Sequence, residues 1–219
     1  LASAGALSFA EAVRLVRKRG QIMAETTARI TGAGMAAIMG LSADDVVAVC
    51  REASAAGVVE AVNFNSPVQT IISGTKSGID KAIEIATARG AKRAMALPVS
   101  APFHSGLMKP AEERLAAELD AAAFADPRFP IVTNVDARAV RTAAEARDAL
   151  KRQVSRPVLW TKSMETLRDL GVEACVECGP GKVLAGLLKR AGRSWPKPPA
   201  IHNVESPEGA EKAKAALFG

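Results

Sequence analysis

Residues 33–99 constrain the fold more than any other stretch, because cap and turn signals cut them into six short elements in a fixed order. The apolar run 34–39 has strand length and is followed by Ser42, an N-cap type, with Asp44 and Asp45 in the turn behind it, so a helix is expected over 42–56. Residues 58–63 and 69–73 read as two strands joined through Asn65-Ser66-Pro67. Residues 75–89 read as a helix stopped at Gly90, and 94–99 as a last strand. The order β-α-β-β-α-β is the split-βαβ, ferredoxin-like arrangement.

The flanks follow another pattern. Ser8 and Glu11 have capping-box spacing, and Phe9, Val13, Val16 and Ile22 recur at helical intervals, so a helix is expected over 8–29, loosened at Gly20. After residue 100 helices are expected over 105–122, 143–153, 161–170, 183–191 and 207–217, with strands at 131–134 and 172–177. Glu112, Glu113 and Arg114 fall on the polar side of the first of these helices. Trp195-Pro-Lys-Pro-Pro reads as a semi-rigid connector. Alternating β and α segments imply a parallel sheet with helices packed on it. Residues 1–29 and 100–219 are therefore expected to form one larger α/β body, with residues 30–99 inserted as a smaller subdomain.

Composition narrows the function. With 219 residues, 48% of them hydrophobic, the chain has ample material for a core, and no apolar run approaches the roughly 20 residues that span a bilayer. Three cysteines cannot make a disulfide framework, no signal-peptide pattern follows Leu1, and a cytoplasmic, monomeric protein with no membrane partner is expected. The net charge of +6 favours acidic partners, but with 4% aromatic residues and no Tyr a base-stacking platform is hard to build, so nucleic acid is not an expected partner.

Few residues carry candidate chemistry. His104 lies on the loop 98–104 between a strand and a helix, where catalytic groups are commonly placed, although a capping or surface histidine fits the same position. His202, in a Pro-rich polar tail, reads as solvated. Cys175 and Cys178 have the C-x-x-C spacing but lack a second ligand pair for zinc, and Cys175 lies within an apolar strand rather than at a helix start, so no metal site is expected. Gly179-Pro-Gly181-Lys182 lacks the spacer and the Ser/Thr of a nucleotide P-loop and reads as a tight turn whose amides can face an anion. Arg14, Arg17 and Lys18 read as a solvated basic face, and Arg19, beside Gly20, reads either as part of that face or as a ligand-binding arginine. Asn63, Asn65 and Gln69 crowd three amides between two strands, as turn formers or as cleft-facing groups.

Taken in order, Ala4-Gly-Ala-Leu-Ser-Phe, Arg14-Leu-Val-Arg-Lys-Arg-Gly20, Gly34-Met-Ala-Ala-Ile, Asn63-Phe-Asn-Ser-Pro, Ala91-Lys-Arg, Pro98-Val-Ser-Ala-Pro-Phe-His104, Asn134-Val-Asp, Arg152-Gln153 before Pro157-Val-Leu-Trp160, and Glu177-Cys-Gly-Pro-Gly-Lys182 resemble the malonyl-CoA:acyl carrier protein transacylases of fatty acid synthesis and the related acyltransferase domains of polyketide synthases. The resemblance implies an α/β-hydrolase-like large subdomain, incomplete at its N-terminus here, with the ferredoxin-like subdomain inserted and the active site between them. It implies a ping-pong transfer of malonyl from malonyl-CoA, through a serine ester, to the phosphopantetheine thiol of acyl carrier protein, with no bound cofactor.

By the same resemblance His104 is the acid–base residue, the Gln153 backbone carbonyl orients it, and Arg19 pairs with the malonyl carboxylate. Phe103 disfavours a branched acyl group, and Asn63 and Asn65 assist positioning. Lys92, Arg93 and Lys109 flank the His104 loop and are the expected docking cations for an acidic carrier protein. The family's Gly-His-Ser-Leu-Gly nucleophile elbow is absent from these residues, so the nucleophile is expected outside this chain and the chain alone is expected to be inactive. Two alternatives stand beside this reading. One is a discrete polyketide acyltransferase; the other is a non-enzymatic module binding a ligand or RNA through the ferredoxin-like sheet.

Overall fold

The computed structural model describes residues 1–219, which divide into two compact units, Leu1–Trp160 and Thr161–Gly219. In chain order the first unit contains α1 (Phe9–Thr27), β1 (Ala33–Met39), α2 (Ala43–Ala53), β2 (Val59–Ser66), β3 (Gln69–Thr75), α3 (Lys76–Ala88), β4 (Arg93–Ala96), α4 (Lys109–Ala121), β5 (Ile131–Val132), β6 (Ala139–Val140) and α5 (Ala143–Arg152). The helix α6 (Trp160–Asp169) begins at the boundary, and the second unit continues with β7 (Ala174–Cys178), α7 (Val183–Ala191), β8 (Ala200–Val204) and α8 (Pro207–Phe218).

The β-α-β-β-α-β order expected over 33–99 is the order observed. The four strands form one antiparallel sheet in the order β2-β3-β1-β4. Strand periodicity sorts β1 between two environments: Ala36 and Ile38 face α2 and α3, whereas Met35 and Ala37 face the opposite side. The helix side buries Val46, Val49 and Cys50 of α2 and Ile79, Ala82 and Ile85 of α3 against Ile72 of β3. Ser42 and Thr75 cap these helices by accepting from the amides of Asp45 and Gly78. Gly74 is required because Val59 crosses it closely: a Cβ there would come 2.0 Å from the Val58 carbonyl oxygen. The strand β2 is longer than expected and runs through Ser66, while β4 ends at Ala96 instead of 99. The residues after Ala96 leave the sheet to form the loop carrying His104.

A second layer joins α1 to α4. Leu15, Ile22 and Met23 of α1 pack with Met108, Ala111, Leu115 and Leu119, and Val154 closes the cluster from the end of α5. The expected apolar face of α1 is corrected in part: Ile22 is buried as expected, but Phe9, Val13 and Val16 are exposed, and Leu15, Met23 and Thr26 complete the buried stripe. The helix passes Gly20 without a break, and nothing lies within 4 Å of the space a Cβ would occupy there. The expected helix over 105–122 opens as a 3-10 turn, Gly106–Met108, before α4. Glu112, expected on the polar side, is buried.

Two hydrogen-bonded strand pairs lie outside the four-stranded sheet. The hairpin β5–β6 is antiparallel and two residues deep, and in the second unit β7 and β8 pair in parallel from Ala174–Ala200 to Cys178–Val204. The strand β8 lies in the tail that reads as polar, and it carries His202 half-buried. Cys175 and Cys178 stand three residues apart on β7 and so point to opposite faces. At the Gly179–Gly181 turn the place of an anion is taken from within: Glu177 accepts from the amides of Leu184 (2.9 Å) and Ala185 (2.8 Å) at the start of α7. No helix is long and apolar enough to cross a membrane.

Ile72 is fully buried between two neighbouring strands and two helices, so Ile72→Ala should cost about 2–5 kcal/mol. The expected signature is a lower urea midpoint with an unchanged denaturant slope.

Candidate active site

His104 occupies a backbone conformation that few side chains tolerate, with φ at 61°. The loop is pinned on both sides of it. Pro102 is fully buried, and Phe103 packs against both the α1–α4 core and the open face of the four-stranded sheet. The buried Ser105 donates its hydroxyl to the Pro102 carbonyl at 2.7 Å, and the Gly106 amide donates to the Glu60 carboxylate on β2 at 3.1 Å. Such a residue costs on the order of 1–3 kcal/mol and persists only where its surroundings over-determine it, as these contacts do.

His104 Nδ1 lies 2.9 Å from the backbone carbonyl of Gln153, the C-cap of α5. A carbonyl can only accept, so Nδ1 carries the proton and Nε2 presents a lone pair. Burial pushes the His104 pKa down and the nearby Arg19 charge adds to this, against the opposing pull of the Gln153 and Arg156 carbonyls. The ring is therefore neutral at pH 7, the state a general base needs.

Arg19, half-buried on α1, makes no ion pair, and burial lowers its pKa from the ordinary arginine value. It is the single charged side chain lining a cavity of about 290 Å³ walled by Leu7, Leu15, Val16, Leu115, Leu119 and Leu150. Gln153 lines the same cavity, so one residue touches both the histidine and the arginine's compartment. An unpaired guanidinium beside apolar walls is suited to holding one carboxylate.

The remaining predicted residues are less tightly grouped. Asn63 and Asn65 are half-buried on β2, whose pairing with β3 is irregular at both Ala61/Asn63 and Phe64/Ser66. Residue 63 bridges to Val158, and the Phe64 amide donates to the Val158 carbonyl at 3.0 Å, which ties the segment after Gln153 to the sheet edge. No hydrogen bond joins either asparagine to His104 or Arg19. Lys92 and Arg93 are exposed at the start of β4 and free of ion pairs, whereas Lys109 is paired with Glu112. Sequence reasoning missed Glu60, Glu112 and Ser155, all of which hold the loop or its partner segment; none has a local pattern that separates it from an ordinary polar residue. No three His, Cys, Asp or Glu side chains come together as metal ligands.

Residues 1–216 match the acyl transferase domain family. The chain belongs to that family. It is 50% identical over 190 residues to the malonyl CoA-acyl carrier protein transacylase of Salmonella typhimurium, covering 87% of this chain and 61% of that protein. The transacylase of Bacillus subtilis is 44% identical over 194 residues, again with 61% of that protein covered. The chain thus spans about 61% of the length of the curated relatives it matches. Among solved structures, an acyl-carrier-protein S-malonyltransferase from Burkholderia pseudomallei superposes with a TM-score of 0.89 at 49% identity, covering 97% of this chain and 67% of that one. A malonyl-transacylase in complex with its type II PKS acyl-carrier protein superposes with a TM-score of 0.90 at 38% identity, covering 99% and 68%.

The electrostatics make a direct prediction. The His104 NMR titration should have its midpoint below 6.5, and Arg19→Met should raise it, because a cation that opposes imidazolium formation is removed.

Proposed function

We propose that these residues are the acid–base and carboxylate-binding part of a malonyl-CoA:acyl carrier protein transacylase, whose nucleophilic serine lies outside the chain. The observation that carries the reading is the Gln153 carbonyl on His104 Nδ1, with the unpaired Arg19 in the cavity that Gln153 also lines. In the first half-reaction the serine hydroxyl attacks the thioester carbon of malonyl-CoA and its proton passes to His104 Nε2. The C–S bond breaks, the coenzyme A thiolate leaves and takes that proton, and a malonyl ester remains. In the second half the phosphopantetheine thiol gives its proton to Nε2, attacks the ester and displaces the serine oxygen, which recovers the proton. Arg19 holds the distal carboxylate through both halves, and Phe103 restricts branching beside the reacting carbon. Asn63 and Asn65 assist positioning from β2.

The subdomain reading belongs to the same proposal: an α/β-hydrolase-like body formed by residues 1–29 and 100–219, with a ferredoxin-like insertion over 30–99. The antiparallel order β2-β3-β1-β4 with both helices on one face supports it. No bound cofactor is needed, and a cytoplasmic, monomeric enzyme is expected. A polyketide pathway is the second reading, favoured by the likeness to the transacylase solved with a type II PKS carrier; it differs only in the carrier protein.

In the complete enzyme His104→Ala should lower kcat by about 10²–10⁴-fold, the usual contribution of a general acid–base. Transfer near the wild-type rate would overturn the proposal, as would malonyl transfer at that rate by the isolated 219 residues. Arg19→Lys keeps the charge but loses the planar fork, so kcat/KM for malonyl-CoA should fall while that for acetyl-CoA holds. Charge reversal at Lys92 and Arg93 should raise KM for the carrier protein most strongly at low salt, and Lys109→Glu should act less specifically because its charge is already met by Glu112.

A further inference from the structure

The His104–Gln153 hydrogen bond exists only while residues 153–156 are held against the His104 loop, and two contacts of different kinds hold them. Val154 is fully buried in the α1–α4 core. Ser155, also buried, donates its hydroxyl to one oxygen of the Glu112 carboxylate, and Lys109 Nζ donates to the other. Glu112 is 8% exposed and sits on α4, eight residues beyond His104 and joined to it by the 3-10 turn alone. One carboxylate therefore ties together the chain that carries the imidazole and the chain that carries its acceptor. Ser155 lies between Gln153, whose carbonyl meets the imidazole, and Arg156, whose carbonyl accepts from the Gln153 side chain. Burial alone would push the Glu112 pKa up; the hydrogen bonds from Lys109 and Ser155 outweigh it and hold the carboxyl below its ordinary value.

We propose that Glu112 and Ser155 are positioning residues for the transfer reaction: a buried carboxylate–hydroxyl clamp that keeps the Gln153 carbonyl on His104 Nδ1 and thereby fixes Nε2 as the basic nitrogen. The clamp rests on the reading of His104 as the base. Unlike the Gln153 carbonyl, which any residue supplies, it depends on two side chains and is open to mutation. It is also unlike an ordinary surface pair, because both Glu112 and Ser155 are buried.

The test reads the imidazole directly. In ¹⁵N-labelled protein at pH 8, where the ring is neutral, the wild type should show His104 Nδ1 protonated and Nε2 bare. Ser155→Ala and Glu112→Ala should move both nitrogens toward the averaged shifts of a two-tautomer mixture. Glu112→Gln, whose amide oxygen still accepts from Ser155, should retain the Nδ1–H form. Wild-type tautomers in folded Ser155→Ala and Glu112→Ala protein overturn the clamp. So does a Glu112→Gln spectrum matching that of Glu112→Ala, which would show a charge effect instead of a positional one. Where Glu112→Ala does not fold, Ser155→Ala decides, since it deletes a single oxygen. In the complete enzyme Ser155→Ala should lower kcat, by at most the about 10⁴-fold of a base held in the wrong tautomer, with little change in KM for malonyl-CoA. The two readings fail separately: an active His104→Ala enzyme overturns the base, and unmoved tautomers overturn only the clamp.

Discussion

A neutral acceptor on His104 Nδ1 is the constraint around which the rest of the site is arranged. A carboxylate in that place would stabilise the imidazolium more strongly, but the arginine next to it would pair with that carboxylate. The Gln153 carbonyl orients the ring and leaves Arg19 free, at the cost of a weaker pull on the histidine proton. The depressed pKa of His104 follows from the same choice, because burial and the Arg19 charge then act with only two backbone carbonyls against them. A base next to an unpaired cation is thus a consistent design for a substrate that brings its own anion. An anion placed on Arg19 would compensate the cation that opposes imidazolium formation and so make proton uptake at Nε2 easier.

The sheet order was legible because its signals are local. Ser42 and Thr75 cap their own helices, and the alternation in β1 divides its residues between two faces without reference to anything distant. His104 stood out through scarcity and through its loop between a strand and a helix. What escaped was non-local. The face of α1 that is buried depends on where α4 lies, so a helical period identifies a stripe but not which of two neighbouring stripes is covered. Glu112 looks like any acidic residue of an amphipathic helix until Ser155, 43 positions later in the chain, is placed beside it. The strand β8 follows a Pro-rich stretch and has mixed polarity, and only its partner β7 makes it a strand.

Several carboxylates of this chain are spent on its own backbone amides, while most of the others pair with Lys or Arg. Glu60 accepts from the amide of Gly106, Asp126 from Ala143, Glu177 from Leu184 and Ala185, and Glu205 from Gly181. Each meets backbone donors that would otherwise be unsatisfied at a turn or a helix start, where a negative charge is favoured. Many of the cations meet the remaining carboxylates, as Arg14 meets Glu118 and Arg152 meets Asp136, while Arg128 donates to the Ser3 carbonyl. Lys92 and Arg93, exposed on the edge of the sheet, and Arg19, half-buried on α1, make no ion pair and carry part of the net charge of +6.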